Sequence, residues 1–260
     1  MRLALLADIH GNSIALDAVL ADIQSQGGVD EHWVLGDLAA IGHDPIGTLE
    51  RVKRLPNGRF VRGNTDRYLV TGELPKPSFK EVEQDATLLP KLVEVARSFA
   101  WTQGVLSGNG WLNWLAQLAL EQRAVLPDGT RLLGVHASAN TDDGRGAYPG
   151  ISPTELSSLM QGCDADLVCV GHTHGSLDMT VDGIRVVNPG SISNSFPPDL
   201  RASYVLLDAD ANGYRIVHRR VDYDHAAVIA AVRRVGHPAA EFIVRYMQGK
   251  NTPNWSKYTQ

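Results

Sequence analysis

Cysteine is scarce in this sequence, and long apolar stretches and an excess of basic residues are missing from it. Two cysteines, Cys163 and Cys169, are too few for a disulfide framework, and Cys169 lies in an apolar run that favours a buried thiol. The apolar run before Asp8 is too short for a signal peptide, and no later stretch is long enough to cross a membrane. We therefore expect a cytoplasmic protein with no membrane partner.

The charge balance excludes a second class of partner. The formal net charge is −5, whereas broad nucleic-acid binding usually requires a basic face, so no stable nucleic-acid partner is expected. An acidic protein can still bind phosphate where metal ions supply the positive charge. The 260 residues contain 43% hydrophobic and 20% charged residues, contents typical of a globular enzyme. No linker interrupts them, which predicts one domain over residues 1–260 and leaves a homo-oligomer open.

The first half of the chain alternates strand-like and helix-like segments. Strands are predicted at residues 3–7, 32–35 and 59–61, and helices begin near Asn12 and at Pro45. This rhythm indicates a parallel sheet with crossover helices, hence an α/β fold. A helical insert is predicted at about residues 80–122. Its aromatic residues are interpreted first as core, but they could also line a base pocket; the candidates are Phe79, Trp101 and Trp111.

The second half is richer in hairpins. Asp128-Gly129, Asp182-Gly183 and Asn212-Gly213 each separate two strand-like runs, which is a strong local signal for a hairpin. Ser152, followed by Pro153 and then Glu155, predicts the start of a helix, and two more helices are predicted between residues 224 and 249.

Five predicted strands are each followed by residues that can bind a metal ion. These residues are Asp8 and His10, Asp37, Asn64, His136, and His172 and His174. Ligands bind beyond the carboxyl ends of strands in open α/β sheets, so these loops should converge. Glycines before Asp37, Asn64 and His172 are expected to allow sharp reversals there. If residues 172–174 are extended, both of their rings should face the same side.

The chemistry of this set predicts two ions rather than one. Carboxylate, imidazole and amide donors suit Mn, Fe, Co, Ni or Zn, while an all-oxygen set would suit Mg or Ca. Seven ligands are too many for one tetrahedral ion, and Asp37 is the best candidate for a shared ligand because a carboxylate can bridge. Two ions about 3.5–4 Å apart can generate a hydroxide at neutral pH and clamp the phosphoryl oxygens during in-line attack.

These motifs resemble those of the calcineurin-like metallophosphoesterase superfamily. The resemblance implies a double β-sandwich flanked by helices, that is, a four-layer α-β-β-α fold. It implies two divalent ions, with Mn first and Fe, Zn, Ni, Co or Mg as alternatives, and attack by a hydroxide that bridges them. One ion would be held by Asp8, His10, Asp37 and His174, and the other by Asp37, Asn64, His136 and His172. The implied function is a phosphodiesterase or phosphatase acting on a small phosphoester or nucleotide.

The largest departure from the family pattern is Thr65, where many members have a histidine that contacts phosphate and protonates the leaving group. Threonine is a much weaker general acid, which favours good leaving groups and makes a phosphodiesterase a natural hypothesis. His43 is a candidate replacement acid, although a solvated loop histidine is the more common case. Asn64 and Arg67 are candidate substrate contacts, with a surface salt bridge as the alternative for Arg67.

Three alternative functions remain open at this point. An inactive scaffold on the same fold would normally have lost ligands, whereas all seven are intact here. Within the enzyme hypothesis, a diadenosine-polyphosphate hydrolase and a protein Ser/Thr phosphatase both fit, because fold alone does not select a substrate.

Overall fold

The computed structural model describes residues 1–253, and within them two five-stranded mixed sheets are flanked by helices. The strands are β1 Arg2–Leu6, β2 Glu31–Val34, β3 Gly58–Phe60, β4 Glu121–Val125, β5 Arg131–Val135, β6 Leu167–Cys169, β7 Leu177–Val181, β8 Ile184–Asn188, β9 Ala202–Asp210 and β10 Gly213–Val221. The helices are α1 Ser13–Ser25, α2 Pro45–Lys53, α3 Asn64–Thr71, α4 Phe79–Gln84, α5 Leu89–Ser107, α6 Trp111–Ala116, α7 Pro153–Met160, α8 His225–Arg234 and α9 Ala240–Met247, with a 3₁₀ turn at Ala86–Leu88.

The first sheet has the order β10-β9-β1-β2-β3. Strands β1, β2 and β3 are parallel to one another, and β9 pairs antiparallel with both β1 and β10. Successive side chains of β1 point to opposite faces, as a strand requires. Leu3 and Leu5 pack against the second sheet, while Ala4 and Leu6 pack against helices including α1. Both faces of β1 are therefore buried, which explains why its sequence is apolar throughout.

The second sheet has the order β4-β5-β6-β8-β7, with β5, β6 and β8 parallel. Leu132 and Leu167 face the first sheet, whereas Leu133 and Val168 pack against α7 on the outer face. Two apolar layers thus enclose each sheet. The arrangement is a four-layer double β-sandwich and confirms the expected fold.

The predicted elements differ from the observed ones mainly at their ends. Helices α4, α5 and α6 occupy most of the stretch expected to be helical, but β4 begins within it, at Glu121. The Asp128-Gly129 and Asp182-Gly183 turns each join two antiparallel strands, as predicted. The third turn is displaced, because Asp210 pairs with Gly213 and the connecting residues are Ala211 and Asn212.

No helix within residues 1–253 is long and apolar enough to cross a membrane. Cys169 is buried in β6, in the layer between the sheets, which agrees with its interpretation as a core thiol.

Candidate metal centre

The loops that follow β1, β2, β3, β5 and β6 meet at one edge of the sandwich, where the predicted ligands form two neighbouring groups. In the first group, Asp8, His10, Asp37 and His174 each offer a donor atom, and these atoms all lie within 4.8 Å of one another. The Nε2 atoms of His10 and His174 are 3.0 Å apart, and His174 Nε2 is 3.5 Å from Asp8 Oδ1. Donors at such separations can share an ion whose bonds are about 2.0–2.2 Å long.

The second group is built around the side-chain oxygen of Asn64. Asn64 Oδ1 lies 3.1 Å from His136 Nε2 and 3.0 Å from His172 Nδ1. Asp37 lies between the two groups: its Oδ1 is 3.4 Å from His136 Nε2, and its Oδ2 is 3.7 Å from His10 Nε2. The structure therefore brings all seven predicted residues together.

Backbone carbonyl groups determine which nitrogen of each imidazole faces the cluster. His10 Nδ1 and His136 Nδ1 donate to Ala40 O and Leu35 O at 3.1 and 2.6 Å, which leaves the Nε2 atoms of both rings as acceptors. His172 has the opposite arrangement, because its Nε2 donates to a carbonyl oxygen, and Nδ1 faces Asn64. Such outer hydrogen bonds set the tautomer and the ring orientation of metal-binding histidines.

The electrostatics of the cluster favour a cation. Asp8 Oδ2 is buried and has no hydrogen-bond partner within the described residues, and burial raises the pKa of Asp8. Burial also raises the pKa of Asp37, but His136, His10 and His172 together lower it overall. Burial lowers the pKa of His136, but Asp37 and Asp8, with the Leu35 carbonyl, together raise it to about 10. Buried carboxylates thus make the cluster a favourable place for positive charge, and the residues fit divalent ions.

Five of the seven residues have a left-handed backbone. The φ angles are 55° at Asp8, 49° at His10, 58° at Asp37, 70° at His172 and 61° at His174. A non-glycine residue rarely adopts this conformation, and such strain is concentrated at functional sites. The extended segment expected at residues 172–174 is therefore wrong. Because the backbone turns at both histidines, His172 reaches the Asn64 group and His174 reaches the His10 group.

The role predicted for the glycines is only partly correct. Gly36 has a φ of +90°, but Gly63 is extended, with a φ of −90°. At Gly63 the requirement is space, because a Cβ atom there would lie 2.1 Å from Asp37 Oδ1. Gly63 thus allows α3 to begin directly against the carboxylate between the two groups.

Asp66 fixes the backbone on which the cluster is built. Its carboxylate accepts hydrogen bonds from the backbone N–H groups of Asp37, Leu38 and Gly63 at 2.9–3.0 Å. Burial, followed by the nearby Asp37, raises the pKa of Asp66 to about 7. Asp66, the third residue of α3, thus accepts from the N-cap residue Gly63 and also ties this helix to the loop after β2.

Tyr68 connects Asn64 to a loop that the sequence did not implicate. Its hydroxyl donates to Asp143. Burial and Asp143 raise the pKa of Tyr68, and the neighbouring Asn64 side chain lowers it by a smaller amount. Because Asn64 Oδ1 faces the histidines, the amide nitrogen is the atom that can face Tyr68. In the same loop, Gly144 O accepts from His172 Nε2 at 3.0 Å. Loop 142–144 therefore holds His172 directly and also binds Tyr68, the neighbour of Asn64.

The remaining predicted residues lie in different surroundings. Thr65 donates its backbone N–H to Asp37 Oδ1 at 2.9 Å, and its hydroxyl oxygen is buried without a partner within residues 1–253. His43 Nε2 lies 3.4 Å from the hydroxyl of Ser13, at the start of α1. Among the described hydrogen bonds, none connects His43 to a residue of the cluster. Its role as an acid remains a prediction without support from this geometry.

Arg67 is held by carboxylates rather than presented to the cluster. Its Nε lies 3.0 Å from Asp142, and its Nη2 lies 3.1 Å from Asp143. Asp142 also accepts from Arg62 at 2.7 Å. Arg67 therefore forms ion pairs, as the alternative prediction of a surface salt bridge has it. These ion pairs hold loop 142–144 against α3.

The described ring contacts of the aromatic residues proposed for a base pocket do not involve the seven cluster residues. Trp111 packs against Trp114, Trp101 packs against His237, and Phe79 is 71% exposed on α4. For Trp101 and Trp111, the core interpretation matches these contacts.

Two mixed sheets packed face to face, with carboxylates and imidazoles gathered at one edge, define the architecture of a metallophosphoesterase. Residues 1–212 match the calcineurin-like phosphoesterase superfamily domain, and the chain belongs to this superfamily, which is metal-dependent and acts on small phosphoesters. The resemblance recognised from the motifs is thereby confirmed.

Comparisons with individual proteins agree with this membership. The chain is 27% identical over 237 residues to an uncharacterized protein of Methanocaldococcus jannaschii, covering 85% of this chain and 88% of that protein. A metallophosphoesterase structure from Sphaerobacter thermophilus superposes with a TM-score of 0.74 at 26% identity, covering 96% of this chain and 99% of that one. A symmetrical bis(5'-nucleosyl)-tetraphosphatase of Erwinia tasmaniensis is 38% identical over only 71 residues, which are 27% of this chain and 26% of that protein.

Proposed function

We propose that the protein is a dinuclear, metal-dependent phosphoester hydrolase, with manganese as its preferred ion. The observation that carries this proposal is the position of Asp37, whose two carboxylate oxygens face different groups of donors at 3.7 and 3.4 Å. Asp37 would be the shared ligand. The first ion would also be held by Asp8, His10 and His174, and the second by Asn64, His136 and His172.

Two divalent ions in this centre would lower the pKa of a water molecule to near neutrality and neutralise the charge on phosphoryl oxygens. The chain itself fixes the geometry for this chemistry. The carbonyl groups of Leu35 and Ala40 hold two imidazoles in the tautomer that leaves Nε2 free, and Asp66 holds the loop that carries Asp37. This rigidity means that little reorganisation is needed when substrate binds.

We further propose that Thr65 makes the enzyme selective for phosphodiesters. Its backbone N–H is bound to Asp37, and its buried hydroxyl, without a partner among the described residues, would be suited to donate a hydrogen bond to a phosphoryl oxygen. It is a poor acid, so the leaving group must depart without full protonation. A diadenosine-polyphosphate hydrolase is the second candidate, and the partial similarity to a tetraphosphatase favours it. The intact donor set argues against the scaffold hypothesis.

The test combines metal analysis with turnover of an aryl phosphodiester. Purified protein should bind two manganese ions per chain, and Asp37→Ala and His136→Ala should each abolish turnover. His225→Ala is the matched control, because that histidine begins α8 and contacts Met247 O. Binding of one ion or none by the wild type, or full activity in the two cluster variants, would contradict the proposal.

A further inference from the structure

The metal centre is accessible to solvent at His172 and His174, which are only half-buried. The side chains of Asp8, His10, Asp37 and His136 are at most 3% exposed, whereas that of His174 is 14% exposed. His172 is half-buried too, so a substrate can approach the cluster from the side of these two imidazoles. The walls next to His174 determine what can be attached to the reacting phosphate.

A cavity of about 280 Å³ begins at His174 and extends away from the cluster. Part of its wall is apolar and consists of Phe196 and the neighbouring Pro197 and Pro198. The Phe196 ring lies 6.1 Å from the His174 imidazole, at an angle of 27°. Flat apolar surfaces of this kind are suited to contact an aromatic ring.

The same cavity contains an incompletely neutralised cation, Arg220. Its Nη2 donates to the hydroxyl of Ser176, two residues after His174, at 2.8 Å. Its carboxylate neighbour, Asp199, is bound by Arg201 at 2.8 and 2.9 Å and lies 3.9 Å from Arg220. Asp199 is therefore paired mainly with Arg201, so Arg220 leaves an excess positive charge beside the centre. Burial lowers the pKa of Arg220, whose side chain is still 31% exposed.

From this arrangement we infer that the cavity is a subsite for a ring-bearing polyphosphate, such as a nucleoside diphosphate group. The ring contacts Phe196 and the proline wall, and Arg220 pairs with a phosphate adjacent to the reacting one. This inference rests on the proposed function for the reaction itself, but the binding it describes does not require turnover. It narrows the substrate class from small phosphoesters to nucleotide-like ones.

The test is calorimetric binding of ADP and of inorganic pyrophosphate to the manganese-loaded protein, in the wild type and in three variants. ADP should bind more tightly than pyrophosphate to the wild type, by about 5–100-fold, the range expected for stacking of one base. Phe196→Ala should remove this difference. Arg220→Met should weaken both ligands by about 10–100-fold, because a charge-assisted hydrogen bond is lost. Arg220→Lys should restore part of that loss.

Arg215→Met is the matched control, since Arg215 lies on the same strand, β10, is exposed, and borders a different cavity. Equal affinities of the wild type for ADP and pyrophosphate, or an Arg220→Met variant that binds like the Arg215→Met variant, would overturn the subsite. Turnover of an aryl phosphodiester, measured in parallel, separates the two hypotheses. An inactive protein that still shows the predicted binding pattern would contradict the hydrolase proposal and leave the subsite supported.

Discussion

Replacing Tyr68 by phenylalanine removes one hydroxyl group, and we expect it to weaken the second metal ion specifically. That hydroxyl donates to Asp143 and lies beside the Asn64 side chain, whose Oδ1 faces His136 and His172. In the variant Asp143 loses a donor and the Asn64 amide loses a polar neighbour, at a cost of about 1–3 kcal/mol. The amide can then rotate away from the histidines.

The expected loss in metal affinity is about 10–100-fold, which is typical when the outer partner of a metal ligand is removed. Only one of two binding steps should change, since Asn64 has no contact with the His10 group among the described hydrogen bonds. Calorimetric titration of the metal-free protein with manganese resolves the two steps. The midpoint of urea unfolding, measured without metal, reports the change in stability.

Tyr204→Phe is the matched control for this experiment. Tyr204 is fully buried, and its hydroxyl donates to Asp22, at the contact between α1 and β9, at 2.6 Å. Both variants should therefore lose stability, while only Tyr68→Phe should lose affinity for the second ion. Wild-type binding of both ions by Tyr68→Phe, or an equal loss in Tyr204→Phe, would refute the assigned role of the tyrosine.

Four further outcomes are expected. Gly63→Ala should abolish binding of both ions in the same titration, because its methyl group would lie 2.1 Å from a carboxylate oxygen of the centre. Gly104→Ala, in the last turn of α5 with open space around it, is the control and should leave both binding steps unchanged. Thr65→His should raise the ratio of monoesterase to diesterase turnover, and an unchanged ratio would remove Thr65 as the determinant. Burial raises the pKa of Asp22, but hydrogen bonds led by Arg219 lower it overall. Asp22→Asn should therefore be less stable than the wild type at pH 7. The difference in urea midpoint should shrink as the pH falls below about 4, where the carboxyl of the unfolded chain is protonated. Manganese at 100 times the dissociation constant of a site should add about 2.7 kcal/mol of stability for each ion bound, or roughly 5–10 °C per ion in thermal unfolding, and a chelator should reverse this gain.

The ligands could be predicted from sequence because each follows an apolar strand, and parallel strands bring their carboxyl ends to one edge. Tyr68 and Asp143 could not, because they lie 75 residues apart and neither follows a strand end. In the sequence, Tyr68 resembles any aromatic residue on the inner side of a helix. The left-handed backbone at His172 and His174 was also hidden, since it depends on contacts from other loops rather than on local propensity.

The left-handed backbone at five ligand residues has a consequence for how long the protein persists. Each such residue costs roughly 1–2 kcal/mol relative to a relaxed conformation, against a total stability of only about 5–15 kcal/mol for a typical domain. Metal binding would offset this cost, whereas the metal-free chain would open more often and be exposed to proteolysis. Metal supply would then regulate the abundance of this protein as well as its activity, and starvation for the ion would remove the chain rather than store it in an idle form.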